Sequence, residues 1–263
     1  MTDDAIEPSL RERESPQERA ARKPLGRKSY GHIGHLPGSR MGPSDHHCHE
    51  GQARIATQKT RDKHDEIIVQ EKLDGSNVGI ARIGDEIVPL SRAGYRAESS
   101  PYEQHHHFAR WTLKQCDRWM SVLRDGERLC GEWLMQAHGT RYELPHEPFV
   151  AFDLMTTDER TIFDEFLIRV APANIVTPRL IHRGGPLSIE AALVAIESSG
   201  HGALDPVEGV VWRVERNLKR GNGWVREVDF LCKYVRPEKQ DGIYLPEFSL
   251  QPPVWNWTED SEI

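Results

Sequence analysis

Residues 71–77 read Glu71-Lys72-Leu73-Asp74-Gly75-Ser76-Asn77. A lysine side chain is normally an ammonium ion, which has no lone pair for nucleophilic attack. When it is placed among cations and a metal ion, Lys72 can lose its proton and attack phosphorus. In this interpretation Asp74 orients the lysine and Gly75 lets the backbone approach a nucleotide closely. Asn77 would then hydrogen-bond a sugar hydroxyl.

The run has a second interpretation, because Asp-Gly is also a favoured pair in β-turns. Taken alone, Lys72 is equally consistent with a plain hairpin turn. The order of four further runs decides between the two readings: Gly131-Glu132-Trp133, Phe149-Val150-Ala151-Phe152-Asp153, Val207-Glu208-Gly209-Val210-Val211 and Leu231-Cys232-Lys233-Tyr234. Any one of these runs can occur by chance, but five in this order and at this spacing are hard to attribute to chance.

These runs, which span residues 72–234, resemble the motifs of the covalent nucleotidyltransferases: RNA ligases, DNA ligases and mRNA capping enzymes, whose signature is K-x-D-G. The asparagine two residues after the glycine, Asn77, resembles the residue that the RNA ligase branch has at this position. The resemblance implies an ATP-dependent RNA ligase that joins 5′-phosphate and 3′-OH ends through a lysyl-AMP intermediate, in RNA repair. It also implies an α+β nucleotidyltransferase (ligase adenylation domain) fold, with antiparallel sheets flanked by helices.

The resemblance assigns roles to individual residues. Lys72, Glu208 and Lys233 would be catalytic, with Lys72 as the nucleophile and Lys233 on the α-phosphate. Glu132 and Glu208 have hard oxygen ligands that suit Mg²⁺ or Mn²⁺, the cation that would accompany ATP. The nucleotide-binding set is Glu71, Lys72, Leu73, Asn77, Arg92, Glu132, Phe152, Glu208 and Lys233. The expected RNA or phosphate contacts are Arg40, Arg96 and Arg236.

Some of these residues keep a simpler alternative. Phe152 would stack on adenine, but in an apolar strand it can equally be a core aromatic side chain. Arg92 would contact the nucleotide or an RNA 5′-phosphate, or be a solvated hairpin arginine. The last run departs from the family, because several RNA ligases have two lysines there and this chain has Leu231 at the earlier position. A missing phosphate contact would come from another residue, such as Lys219, Arg220 or Arg236.

Composition sets broader limits. The 263 residues are 37% hydrophobic and 29% charged, which supports a core in one large domain or two small ones. No apolar run is long enough to span a bilayer and the N-terminus lacks a signal peptide, so we expect a cytoplasmic protein without membrane contact. The four cysteines, Cys48, Cys116, Cys130 and Cys232, are widely spaced, and reduced thiols are the simplest interpretation.

Charge and pattern divide the chain into three regions. Residues 1–24 are polar, charged and without periodicity, which predicts a disordered arm. Residues 25–247 would form the nucleotidyltransferase domain, and 248–263 an acidic C-terminal tail. Only 29 residues follow Tyr234, too few for the OB-fold domain of DNA ligases and capping enzymes, so we expect none. RNA ends would be the partner of a protein that we expect to be a monomer.

Periodicity places the runs on secondary structure. Strands are expected at 67–69, 78–83, 86–91, 129–134, 149–154, 209–214 and 228–235, with the second and third forming a hairpin around Gly84. Helices are expected at 102–124, 161–170 and 188–199, the last capped by Ser188. Residues 32–40 are expected to be loop.

Two histidine-rich runs need separate treatment. Asp45-His46-His47-Cys48-His49 is dense in zinc-ligand types, but adjacent side chains in an extended loop point to opposite sides. We expect a loop near the nucleotide or RNA end instead. The residues of the second run, His105–His107, are expected on the exposed part of a helix.

Two alternatives remain open. The chain could be another covalent nucleotidyltransferase, joining DNA or using GTP or NAD. It could also be a non-catalytic RNA-end binding module that kept the fold, although Lys72, Glu132, Glu208 and Lys233 argue against loss of the chemistry.

Overall fold

The computed structural model describes residues 23–157 and 159–258. Within these residues the strands are β1 (Gly34–His35), β2 (Asp65–Lys72), β3 (Ser76–Ile83), β4 (Glu86–Ser91), β5 (Arg128–Trp133), β6 (Phe149–Met155), β7 (Leu180–Gly184), β8 (Gly209–Arg220) and β9 (Gly223–Val235). The helices are α1 (Glu50–Thr57), α2 (Glu103–Leu113), α3 (Cys116–Val122), α4 (Phe163–Val170), α5 (Ile189–Ala195) and α6 (Pro246–Ser249). Short 3₁₀ turns lie at Ala97–Ser99 and Ala171–Ala173.

The strands form two sheets. The first sheet has the order β1-β9-β8-β2-β7, and the second has the order β4-β3-β5-β6. Neighbouring strands are antiparallel except for β1, which runs parallel to β9. The expected α+β architecture with antiparallel sheets flanked by helices is therefore confirmed.

The chain passes from the first sheet to the second between β2 and β3. Lys72 is the last residue of β2, and Ser76 is the first of β3, so residues 73–75 form the link. Apolar residues on the second sheet pack against α2, α3 and α4, whereas those of the first sheet pack against α1 and α5. Each sheet is stabilised by its own apolar core. Because β2 belongs to one sheet and β3 to the other, both ends of the link at 73–75 are fixed.

The expected strands are all present, and β8 and β9 extend beyond their predicted bounds as one long hairpin. The hairpin of β3 and β4 turns at Gly84, whose φ of 59° suits glycine. Residues 32–40, expected to be loop, contain β1. The sequence analysis missed α1, which begins with a capping box formed by His49 and Gln52.

The single helix expected at 102–124 is wrong, since α2 and α3 are separate helices. The break places Trp111 and Trp119 in the same core, with ring centroids 5.4 Å apart. The indole of Trp119 also donates to the carbonyl oxygen of Thr112 at 2.9 Å, which closes the bend. The helix expected at 188–199 begins after its Ser188 cap as predicted, but it ends at Ala195.

A disordered arm is expected at residues 1–24. Residues 1–22 lie outside the described part of the chain, so the arm stays a prediction. Within the expected tail, Trp255 and Trp257 pack against the core of the second sheet, and Asn256 donates to the carbonyl oxygen of Leu134 at 2.8 Å. Every helix in the described ranges is too short or too polar to cross a membrane.

Candidate active site

A pocket of about 820 Å³ lies at the junction of the two sheets. It contains most of the residues that the sequence analysis singled out: Arg40, Glu71, Lys72, Leu73, Asn77, Arg92, Arg96, Glu132, Phe152, Glu208 and Lys233. Its volume lies in the range typical of pockets for ligands the size of a nucleotide.

Lys72 and Glu208 are brought together by strand pairing. Lys72 lies opposite Gly209 in the register of β2 and β8, and Glu208 immediately precedes that glycine. The ammonium group of Lys72 consequently forms an ion pair with the carboxylate of Glu208. Residues 136 positions apart in the sequence thus form one charged pair.

The environment of Lys72 favours its charged form. Burial opposes the charge, but the carboxylates of Glu208 and Glu132 outweigh that effect and raise the pKa of Lys72 above its usual range. The amine is therefore protonated while it is paired with Glu208. An ammonium has no lone pair, so the amine must lose this proton before it can act as a nucleophile.

Glu132 lies on β5, directly opposite Asn77 on β3. Its Oε1 accepts a hydrogen bond of 3.1 Å from the backbone N–H of Gly75. Burial raises the pKa of Glu132 and that of Glu208 to about 7, against the opposing charge of Lys72. Burial disfavours the charged form of both carboxyl groups, so a cation beside them would stabilise that form.

Gly75 makes this arrangement possible by its lack of a side chain. A Cβ atom at Gly75 would lie 2.5 Å from the carbonyl oxygen of Trp133, which is closer than real Cβ atoms approach. Because the link can lie directly against β5, the N–H of Gly75 reaches Glu132. The glycine of the motif is thus required by close backbone packing.

The residues present fit a divalent cation whose coordination is shared between the protein and a bound nucleotide. Within the described residues, no group of three or more His, Cys, Asp and Glu side chains is arranged to hold a metal ion. Glu132 and Glu208 would therefore supply two carboxylates, and the phosphates of a nucleotide together with water would complete the coordination. Their raised pKa values agree with a site that is stabilised when a cation binds.

Asn77 provides an independent sign of a polar ligand. Its side-chain Oδ1 is buried and has no hydrogen-bond partner, although the residue lines the pocket. A buried acceptor without a partner is costly, so a ligand donor at this position would be favourable. A sugar hydroxyl has the required chemistry.

Lys233 approaches the pocket from β9, where it lies opposite Val211. Its ammonium is 3.6 Å from the carboxylate of Asp45. Burial, together with the positive charge of Lys72, lowers the pKa of Lys233. The loop that contains Asp45 therefore lies at the pocket, where the sequence analysis expected it.

Glu71 and Leu73 line the pocket, but their side chains have other partners. The carboxylate of Glu71 accepts from the hydroxyl of Ser199 at 2.5 Å and from the backbone N–H of Gly200 at 2.8 Å. Leu73 is buried in a small apolar cluster. Phe152 is half-buried on β6, and its ring lies edge-on to Tyr30, with centroids 5.0 Å apart.

The four arginines lie in different surroundings. Arg92 lines the pocket and donates to the carbonyl oxygen of Gly31 at 3.4 Å. Arg96 pairs with Glu86 at 2.9 Å, and Arg40 pairs with Asp241. Arg236 does not line this pocket and lies 3.7 Å from Glu238.

Leu231, which occupies the earlier position of the last motif, lines the pocket. Two of the residues considered as substitutes, Lys219 and Arg220, lie at the far end of β8. There Arg220 pairs with Glu227 at 3.2 Å. Neither residue therefore lies where it could replace the missing lysine.

Asp74 has a role different from the expected one. Its carboxylate accepts from the backbone N–H of Gly139 and the hydroxyl of Thr140, both at 3.0 Å. It also lies 3.5 Å from the ammonium of Lys239. Asp74 therefore anchors the link, and none of these contacts is with the amine of Lys72.

Sequence reasoning missed two residues, one that supports the link and one that lines the pocket. Lys239 is buried, with its side chain 5% exposed, and donates to the carbonyl oxygens of Gly139 at 2.7 Å and Pro206 at 3.2 Å. It joins the link to the segment before Glu208. No motif contains this lysine, and only its proximity to the last run could have drawn attention to it.

The second missed residue is His105, since His105–His107 are not on an exposed helix face as expected. The ring of His105 lines the pocket and lies 3.2 Å from the hydroxyl of Ser76 and 2.6 Å from that of Ser100. Burial lowers the pKa of His105 to about 4, so the ring is neutral near pH 7.

Comparisons with known proteins identify the family of the chain. The chain matches the RNA ligase family over residues 65–235, a range that contains all five motifs. No curated protein sequence matches the chain at a significant level.

Among solved structures, a variant of the Naegleria gruberi RNA ligase with ATP and Mn is similar at 18% identity and a TM-score of 0.44, with 77% of this chain and 60% of that chain covered. An archaeal ATP-dependent RNA ligase is similar at 21% identity and a TM-score of 0.40, covering 65% and 43%. An Aquifex aeolicus chain assigned as an ATP-dependent DNA ligase gives 18% and 0.43, covering 78% and 49%. The chain thus spans three-fifths or less of the length of these three relatives.

Proposed function

The chain belongs to the RNA ligase family, and we propose that it is an ATP-dependent RNA ligase that works through a lysyl-AMP intermediate. The observation that carries the proposal is the pairing of Lys72 with Glu208 inside a pocket that also contains Glu132. A buried lysine of shifted pKa, in a pocket with two carboxyl groups that could hold a metal ion, is a candidate nucleophile.

In the first step, Nζ of Lys72 would attack the α-phosphorus of ATP. A nitrogen–phosphorus bond forms, the bond from the α-phosphorus to the leaving oxygen breaks, and pyrophosphate departs. The ammonium, which is paired with Glu208, must lose a proton before attack, and that proton would pass to solvent in the pocket. Lys233, on the adjacent strand, would stabilise the charge that develops on the α-phosphate.

A divalent cation, Mg²⁺ or Mn²⁺, would neutralise phosphate charge in this step. Glu132 and Glu208 would hold it, and their engagement would remove the negative charge that keeps Lys72 protonated. Asn77 would bind a ribose hydroxyl through its unpaired oxygen, and Phe152 would lie against the adenine. Glu71, Leu73 and Arg92 would complete the nucleotide contacts.

In the later steps, AMP would pass from Lys72 to the 5′-phosphate of an RNA. A 3′-OH would then attack that phosphate, forming a phosphodiester and releasing AMP. Arg40 and Arg96 line the same pocket and are the proposed contacts for RNA phosphates, with Arg236 outside it as a third. RNA ends are the proposed partner, RNA repair is the proposed role, and the cytoplasm is the proposed location.

The test is incubation with Mg²⁺ and ATP labelled at the α-phosphate, followed by denaturing electrophoresis. We expect label on the wild-type protein and none on Lys72→Ala, with the variant's folding checked by circular dichroism. Wild-type protein that stays unlabelled with ATP, GTP and NAD, and with Mn²⁺, after removal of AMP bound during expression, would overturn the proposal and favour a binding module. Competition among the three nucleotides separates ATP from its alternatives.

A further inference from the structure

Two exposed aromatic side chains lie at the mouth of the pocket. Phe248, on α6, is 73% exposed, and Tyr102, immediately before α2, is 49% exposed. Both line the same pocket as Lys72. A single exposed aromatic residue is ordinary. Two at the entrance of one polar pocket offer ring faces on which a flat ligand could stack.

The ring of Phe248 is held in position from one side. A Cβ atom at Gly242 would lie 2.8 Å from Cδ2 of the ring and 3.1 Å from Cε2, so the ring rests directly on that glycine. The backbone N–H of Phe248 donates to the carbonyl oxygen of Leu245 at 3.0 Å. The remainder of the ring is open to solvent and is available for stacking.

The segment that presents Phe248 is tied to the opposite wall. Asp241, next to the supporting glycine, forms an ion pair with Arg40. The N–H of Tyr244 donates to the carbonyl oxygen of His138 at 2.8 Å. These two contacts hold the segment that precedes Phe248 at the pocket.

Tyr102 lies on the other wall of the pocket. Its ring lies edge-on to His105, with centroids 5.8 Å apart. The two hydroxyl contacts of that histidine, to Ser76 and Ser100, connect it to β3 and to the turn before α2. The second aromatic ring is thus also held by the wall that carries the nucleotide site.

Charge at the mouth is modest. The chain has a net charge of −7, and of the arginines on the pocket wall, Arg40 and Arg96 already pair with Asp241 and Glu86. Binding of a duplex through its backbone relies on many unpaired cations. Stacking on aromatic rings requires fewer charges, but it needs bases that are not already stacked in a helix.

We propose that Phe248 and Tyr102 form a stacking site for the unpaired terminal bases of single-stranded RNA, next to the 5′-phosphate that receives AMP. The inference rests on the proposed function, since it places the RNA end at the mouth of the adenylation pocket. It commits this site to single-stranded RNA, and nicked duplex is the alternative that the experiment distinguishes.

The experiment compares Phe248→Ala and Tyr102→Ala with the wild-type protein on a short 5′-phosphorylated oligoadenylate. Because base stacking contributes about 1–3 kcal/mol per base, the KM for this RNA should rise about tenfold in each variant. Phe248→Trp should retain the wild-type value. The matched control is Ile168→Ala, which removes a 71% exposed side chain on α4 that does not line the pocket.

The readouts separate this inference from the proposed function. The KM for ATP in the labelling step should stay within about twofold, whereas an increase matching that for RNA would assign the rings to ATP and overturn the stacking site. An equal loss on nicked duplex and on the single strand would also overturn it, as would an unchanged KM for RNA. A wild-type protein that forms no adduct would refute the ligase proposal; anisotropy of a fluorescent oligoadenylate then tests the stacking site alone, and equal affinity of wild type and Phe248→Ala overturns it.

Discussion

Arg213 on β8 of the first sheet forms a buried ion pair with Asp153 on β6 of the second sheet. Asp153 also accepts from the hydroxyl of Tyr30 at 2.8 Å and from Nε of Arg160 at 2.9 Å. It is the residue after Phe152, so the pair fixes the two sheets to each other beside the pocket. Because Lys72 and Glu208 belong to the first sheet and Glu132 to the second, the distance between the sheets determines whether Glu132 lies near the other two.

Arg213→Met should therefore destabilise the protein strongly. Removal of the guanidinium leaves the buried carboxylate of Asp153 with fewer partners, and breaking a buried pair costs about 3–5 kcal/mol. Urea unfolding gives the free energy. The control is Arg220→Met, whose partner Glu227 is exposed and whose loss should cost below about 1 kcal/mol. Equal costs for the two variants would show that the pair between the sheets contributes little.

Glu132 should make stability depend on pH. Its pKa in the folded protein is about 7, raised by burial from 4.5, so between these values the folded protein binds a proton that the unfolded chain has released. Stability contributed by this group is therefore lost as pH rises from about 5 to about 8. Glu132→Gln should become more stable relative to wild type over that range, as measured by urea unfolding at each pH. A constant difference would contradict the raised pKa.

Lys239→Met should slow adenylation and lower stability together. The substitution leaves Asp74 without its buried cation and removes the contacts to Gly139 and Pro206. We expect a loss of about 3–5 kcal/mol and labelling at least about tenfold slower. Lys219→Met, at the far end of β8, is the matched control and should change neither quantity measurably. Full labelling by a stable Lys239→Met variant would exclude an anchoring role.

Gly75→Ala tests the close packing of the link on β5. The added Cβ would meet the carbonyl oxygen of Trp133 at 2.5 Å, so the link must move away from Glu132. The expected loss of stability is about 1–3 kcal/mol, with labelling at least about tenfold slower. Gly223→Ala is the control, because its Cβ would meet only a carbonyl oxygen at 4.0 Å. Wild-type labelling by Gly75→Ala would show that the glycine is dispensable.

Much of the fold could be predicted because its signals are local. Alternating and short apolar runs indicated the strands, and Ser188 marked the beginning of α5. The boundary between α2 and α3 was missed because it depends on the packing of Trp111 against Trp119, which has no local signal. The partner of Asp74 was missed for the same reason, since Lys239 lies far along the chain and outside every motif.

The sequence by itself determined which residue types the site contains. A lysine, two glutamates and an asparagine occur in ordered motifs whose chemistry is recognisable. Only the tertiary structure decided how they are used. The register of β2 with β8 placed Lys72 against Glu208, and close packing at Gly75 brought in Glu132. Burial then raised the pKa values of both carboxyl groups. Such effects depend on distance and dielectric environment, which exist only once separate strands are folded together.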